Sequence, residues 1–115
     1  MNLLNSFFGE QVPTINVHEL RQELQNEKPP FLLDVRQPEE FRMSHIAGAK
    51  LIPLGQLARR TNEVPHDRAI VCICASGHRS VSAVHLLKAA GLTSSSMQNG
   101  MIAWQMAKMP VDKGL

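Results

Sequence analysis

The chain has 115 residues, a size that one domain fills, and its 43% hydrophobic and 19% charged residues describe a globular protein with a core of its own. Net charge is only +2, and the basic residues are scattered rather than gathered in a stripe with interleaved aromatics, which argues against nucleic-acid binding. No apolar stretch approaches the roughly 20 residues that span a bilayer, so no membrane association is expected.

Residues 1–8 carry no basic region and are too short for a signal peptide. Their Leu3, Leu4, Phe7 and Phe8 can pack on the domain or on a partner, so residues 1–12 are read as an extension and 13–115 as the domain. Thr14 and Ile15 form a short first strand. Val17, Leu20 and Leu24 follow at helical spacing, with Asn16 as N-cap, and Pro29-Pro30 ends that helix. Residues 31–35 read as a strand apolar on both faces. Residues 38–43 read as a short helix with Pro in its first turn and Glu39 and Glu40 at its positive end. A strand over 50–52 stops at Pro53. Leu54, Leu57 and Ala58 mark another short helix, ending near Arg59-Arg60. Residues 69–73 are the central strand, and a helix over about 79–90 presents Val81, Ala83, Val84, Leu87 and Ala90, with Gly91 as its C′ residue. A weak strand over 95–98 and a helix over about 100–107 complete the chain. The Ser94-Ser95-Ser96 run is too short to be a linker.

Strands apolar on both faces, alternating with helices, predict an α/β layer architecture around a parallel sheet. Ligands bind such sheets beyond the carboxyl ends of the strands. Cys74 follows the central strand at such an end, and Asp34 lies at another. Between Cys74 and the helix run Ala75, Ser76, Gly77, His78 and Arg79, with Ser80 onward read as helix. Successive loop amides can form an anion-binding nest, and a helix N-terminus adds unpaired N–H groups and partial positive charge. That setting lowers a thiol's pKa. The site therefore suits a nucleophilic thiolate and an anionic group carried on it.

The segment Cys74-Ala75-Ser76-Gly77-His78-Arg79-Ser80 has the form Cys-x-x-Gly-x-Arg-Ser and resembles the active-site loop of the rhodanese family of sulfurtransferases. Leu33-Asp34-Val35-Arg36, Glu39-Glu40-Phe41 and His45-Ile46-Ala47-Gly48-Ala49 resemble the signature that opens such domains. Asn99-Gly100-Met101-Ile102-Ala103-Trp104 is similar to the segment that closes them. The resemblance covers roughly residues 13–110. It implies a three-layer rhodanese-like fold, with a central, mainly parallel five-stranded sheet and helices on both faces. It also implies a sulfurtransferase that moves a sulfane sulfur from thiosulfate or another persulfide donor to cyanide, glutathione or a protein thiol, through a persulfide on Cys74. Thiosulfate-specialised members often carry a basic residue just after the cysteine, where this chain has the neutral Ala75.

Each of these residues also has a plainer reading. Cys74 could be a small buried hydrophobe. Gly77 could be an ordinary turn glycine, and Ser76 a common turn residue instead of a donor to the persulfide. Arg79 suits either anion binding or a structural ion pair with Asp34 or Glu40, which a fork-shaped guanidinium beside a rigid loop favours. His78 reads as a solvated residue at the loop tip. Asp34 can accept hydrogen bonds from the loop or cap a helix, and Arg36 can steer an anion or sit in solvent. With Ser80 these two are counted as support for the loop. Cys72 shares a strand face with Cys74 and reads as core, the alternative being a resolving thiol. His45 and Trp104 read as structural.

Two cysteines one residue apart make no disulfide framework, and a free reactive thiol points to a reducing cytoplasm. No cofactor is implied, and no metal, because Cys72-x-Cys74 lacks a second ligand pair at zinc spacing. Cysteine phosphatases, and arsenate reductases of the related fold, are the competing enzyme class. The phosphatase loop is Cys-x5-Arg, whereas this one is Cys-x4-Arg and should suit a persulfide sulfur. A sulfur-carrier or regulatory module that docks onto a partner is the remaining alternative.

Overall fold

A computed structural model describes residues 11–115. The expected extension over residues 1–12, with its Leu3, Leu4, Phe7 and Phe8, lies almost wholly outside the described residues.

Among the described residues five strands alternate with five helices: β1 (Thr14–Ile15), α1 (Val17–Glu23), β2 (Phe31–Asp34), α2 (Pro38–Met43), β3 (Lys50–Leu51), α3 (Leu54–Leu57), β4 (Ile70–Ile73), α4 (His78–Ala89), β5 (Ser95–Met97) and α5 (Gly100–Met106). The sheet order is β1-β5-β4-β2-β3 and every pairing is parallel. An isolated antiparallel bridge, His45 with Asp112, lies outside the named strands.

The sheet divides the core in two by the period-two alternation of its strands. Leu33, Ile70 and Cys72 join Leu57 of α3 and Ala83, Val84 and Leu87 of α4 on one side. Leu32, Val71 and Ile73 join Val17 and Leu20 of α1 and Met101 and Trp104 of α5 on the other. Helices thus cover both faces, as strands apolar on both sides require.

Local signals account for the element ends. Asn16 caps α1 reciprocally: its side chain accepts from Glu19 N–H at 2.8 Å, and Glu19 accepts from Asn16 N–H at 3.0 Å. The first turn of α2 carries Pro38, and Glu40 reaches back to Gln37 N–H at 3.0 Å. Gly91, at φ +84°, ends α4, and Leu92 N–H bonds the Leu87 carbonyl at 2.8 Å. The chain after α3 tightens into a 3₁₀ turn over Thr61–Glu63 that the apolar spacing does not announce.

β2 and β4 are neighbours in register, with Asp34 opposite Ile73. Their carboxyl ends therefore lie side by side, and Cys74 leaves the sheet there. Among the described residues no helix is long and apolar enough to cross a membrane.

Candidate active site

After Ile73 the chain must turn sharply to enter α4. Gly77 makes that turn at φ +104°, in the left-handed region open to a residue without Cβ; a Cβ there would also meet Asn99 N at 3.2 Å. The turn aims two backbone donors at Cys74 Sγ, Gly77 N–H at 3.0 Å and Ser80 N–H at 3.3 Å, and the thiol itself donates to Ser80 Oγ at 3.4 Å. The Cys74 side chain is fully buried beneath them. Burial pushes the thiol up. The Ser80 hydroxyl and the N–H groups of Ser80, Gly77 and Ser76 outweigh it, and the thiol ends below its ordinary value. α4 begins at His78, slightly earlier than the apolar spacing places it, so Ser80 lies in its first turn with an N–H free to face the sulfur.

The amino end of α5 holds the loop from the other side. Met101 N–H bonds the Cys74 carbonyl at 2.8 Å, and Ile102 N–H bonds that of Ala75 at 3.0 Å. So close an approach leaves no room at Gly100, where a Cβ would lie within contact distance of the Cys74 and Ala75 carbonyl oxygens. Asn99 and Gly100 are both left-handed, at φ +59°. Asn-Gly is the dipeptide that tolerates such a turn, and that was the signal available for a role at the site.

Arg79 forks onto Glu40, with Nη1 to Oε1 at 2.7 Å and Nη2 to Oε2 at 2.9 Å, tying the loop to α2. Of the two carboxylates the sequence offers, Glu40 is the partner. Its carboxyl is held at about 2, chiefly by the Arg79 hydrogen bonds.

Asp34 and Arg36 need correction. The carboxylate of Asp34 is taken up by Arg36, through Nε at 2.9 Å, Nη2 at 2.8 Å and the Arg36 N–H at 3.1 Å, instead of by the loop. Arg36 is not solvated, and its guanidinium is engaged with Asp34. It is buried, and it also donates to the Ser44 carbonyl at 2.8 Å. A guanidinium at that depth needs its carboxylate. Together they brace α2, and through Glu40 and Arg79 they act on the loop indirectly.

His78 is exposed, in contact with Ser76 Oγ through Nδ1 at 3.1 Å, but it opens the helix and does not stand at a loop tip. Cys72 lies fully buried near Ser94 Oγ, and burial pushes its thiol up to about 12, which makes it a core residue. His45 stacks on Phe41, and its Nδ1 meets the Phe41 carbonyl at 2.8 Å. Trp104 is fully buried, with Nε1 donating to the Pro110 carbonyl.

Among the described residues, openings border the loop on either side. A groove of about 610 Å³ beside Ala75 is walled by Met43, Met101, Ile102 and Met109. A hollow of about 430 Å³ on the other side meets Ser76, Gly77, His78 and Ser96. Another pocket, of about 320 Å³, lies between Pro29-Pro30 and Trp104. No cysteine, serine or histidine lines it. Among the described residues no three His, Cys, Asp or Glu side chains are grouped to hold a metal ion.

The sequence pattern of the rhodanese-like domain matches residues 16–107. The HTH-type transcriptional regulator Rv0324 of Mycobacterium tuberculosis is 39% identical over 85 residues, covering 72% of this chain and 38% of the regulator. A sulfurtransferase of Allochromatium vinosum is 32% identical over 101 residues, covering 87% of this chain and 94% of that protein. The solved structure of a rhodanese-related protein from Thermoplasma volcanium superposes with a TM-score of 0.81 at 30% identity, covering 87% of this chain and 97% of that one. Of several curated relatives the chain spans less than half the length, from 26% to 45%.

Proposed function

The chain belongs to the rhodanese-like domain family, and from that premise we propose that it is a sulfurtransferase working through a persulfide on Cys74. The observation that carries this reading is the buried Cys74 sulfur with Gly77 N–H and Ser80 N–H directed at it and the Ser80 hydroxyl in hydrogen-bond contact with it. Donors fixed in advance around the Cys74 sulfur stabilise the thiolate that makes the attack. The Cys74 thiolate attacks the outer sulfur of a donor such as thiosulfate. The new S–S bond forms as the donor's own sulfur–sulfur bond breaks, and sulfite leaves with the electron pair. An acceptor thiolate or cyanide then attacks the outer sulfur of the persulfide, takes it as a persulfide or thiocyanate, and returns Cys74 as thiolate.

The phosphatase reading has less support. Arg79, which would have to clamp a phosphoryl group, spends its guanidinium on Glu40. The amides close on one sulfur atom, where a phosphatase loop must surround a tetrahedral anion. A docking module is the second reading, favoured by one specific observation: a relative with this domain is a transcriptional regulator of which the chain covers 38%.

Intact mass after incubation with thiosulfate, before and after a thiol reductant, tests the proposal. The expected result is a reversible gain of one sulfur atom, absent in Cys74→Ser, together with thiocyanate formation when cyanide is supplied. Hydrolysis of an aryl phosphate through Cys74 without sulfur loading would overturn it. Loading without turnover to any small acceptor would favour the docking module.

A further inference from the structure

We propose that Ser96 is a positioning residue for the Cys74 sulfur, acting through the Ser80 hydroxyl; the inference rests on the reading of Cys74 as the nucleophile. The run Ser94-Ser95-Ser96 leads into β5, and its alternate members turn to the same side of the sheet. Ser94 and Ser96 are both buried. Ser94 Oγ lies 3.8 Å from Cys72 Sγ. Ser96, opposite Cys72 in the strand register, places its Oγ 2.7 Å from Ser80 Oγ, which lies 3.4 Å from Cys74 Sγ. Each serine of the pair thus serves a different cysteine, one by direct contact and the other through a second hydroxyl.

A hydroxyl has one proton to give, and this sets the direction of the chain. A neutral Cys74 thiol can donate to Ser80, whose own proton then points to Ser96. A thiolate only accepts, so Ser80 must donate to it. Its oxygen then needs a donor, and Ser96 stands at hydrogen-bond distance to supply it. A hydroxyl that is itself accepting is also the stronger donor. Loss of the Ser96 hydroxyl leaves the Ser80 oxygen buried and unpaired in the charged state while taking an acceptor from the neutral one. It also frees the Ser80 hydroxyl to rotate. The charged state loses more, because its hydrogen bond is the charge-assisted one.

The other ionisable groups around the loop are Cys72 on β4, His78 and Arg79 on α4, Glu40 on α2, and Asp34 with Arg36 after β2. Arg79 is engaged with Glu40, and Arg36 with Asp34. A change at Ser96 removes none of these contacts.

The test is ultraviolet titration of the Cys74 thiolate in the free protein, which needs no donor and no turnover. A failure of sulfur transfer would therefore count against the proposed function without touching this measurement. Cys72, pushed up to about 12, stays protonated through the range. Ser96→Ala should raise the midpoint by about half a unit to one unit, the effect of one net hydrogen bond. Ser94→Ala, one residue before the same strand and likewise buried, should leave it in place. Ser96→Thr, which keeps a hydroxyl, should hold it near the parent value. In a Ser80→Ala background, Ser96→Ala should cause no further shift. An unchanged midpoint in Ser96→Ala, an equal shift in Ser94→Ala, or a full shift without the Ser80 hydroxyl would each overturn the assignment.

Discussion

Gly100→Ala is the sharpest test of how the loop is held. The added Cβ meets the carbonyl oxygens of Cys74 and Ala75, which are backbone and cannot rotate away as a flexible side chain could. Two costs follow. A residue with a Cβ at φ +59° loses about 1–2 kcal/mol. Relief of the clash moves the start of α5 off the loop and weakens the bonds from Met101 N–H and Ile102 N–H, each worth about 0.5–1.5 kcal/mol. Together the loss is about 2–5 kcal/mol. Gly48→Ala supplies the control: its φ is +83°, but nothing lies within 4 Å of a Cβ there, so it should bear the first cost alone. Urea denaturation of both variants, followed by sulfur loading from thiosulfate under native conditions, reads the difference. Gly100→Ala should lose clearly more stability than Gly48→Ala, and it should load sulfur more slowly because the Cys74 carbonyl is no longer anchored. Equal stability losses with loading intact would refute the claim that α5 holds the loop.

Arg79→Lys should lower thermal stability by about 1 kcal/mol or less, since the pair is about one-third exposed, and lower transfer with it, because an ammonium cannot fork onto Glu40. Native stability with a much raised donor KM would instead place Arg79 on the donor. Glu40 is held at about 2, against 4.5 for a free carboxyl, so its contribution is complete above pH 4.5 and disappears as pH falls towards 2. Arg79→Lys should therefore flatten the acid limb of stability measured over that window. Cys74→Ser should end persulfide formation, while Cys72→Ala should retain it and turn over; a Cys72→Ala protein that loads sulfur but cannot release it to a thiol would make Cys72 a resolving residue. Because the Cys72 thiol is raised from 9.0 to about 12, its contribution is present below pH 9 and lost as pH rises towards 12. The parent should fall relative to Cys72→Ala by about 1 kcal/mol near pH 10, read by denaturation at stepped pH.

What the chain determines on its own is local and contiguous. Apolar residues on both faces of 31–35 and 69–73 require cover on both sides, which is enough for a layered parallel sheet. The strand, the Gly77 turn and the following helix lie within a dozen residues, so a thiol among inward-facing amides can be read before any contact is known. Where segments meet was decided only by tertiary structure. Arg79 had Asp34 and Glu40 as candidate partners; pairing of β2 beside β4 brought α2 against the loop and gave it Glu40, 39 residues away. The same packing buried Arg36, and a buried guanidinium takes the nearest carboxylate, so Asp34 was drawn from the loop to its chain neighbour. Ser96 gave little sign of a role, because a serine run carries no information about what lies across from it, and the Asn99-Gly100 dipeptide announced a turn but not the loop that the turn meets. Both act on Cys74 through elements that close over it late in the chain. Periodicity describes the faces of each element, whereas the burial and approach that turn a serine into a hydrogen-bond relay, or a glycine into the only residue that fits, exist only once two elements are packed together.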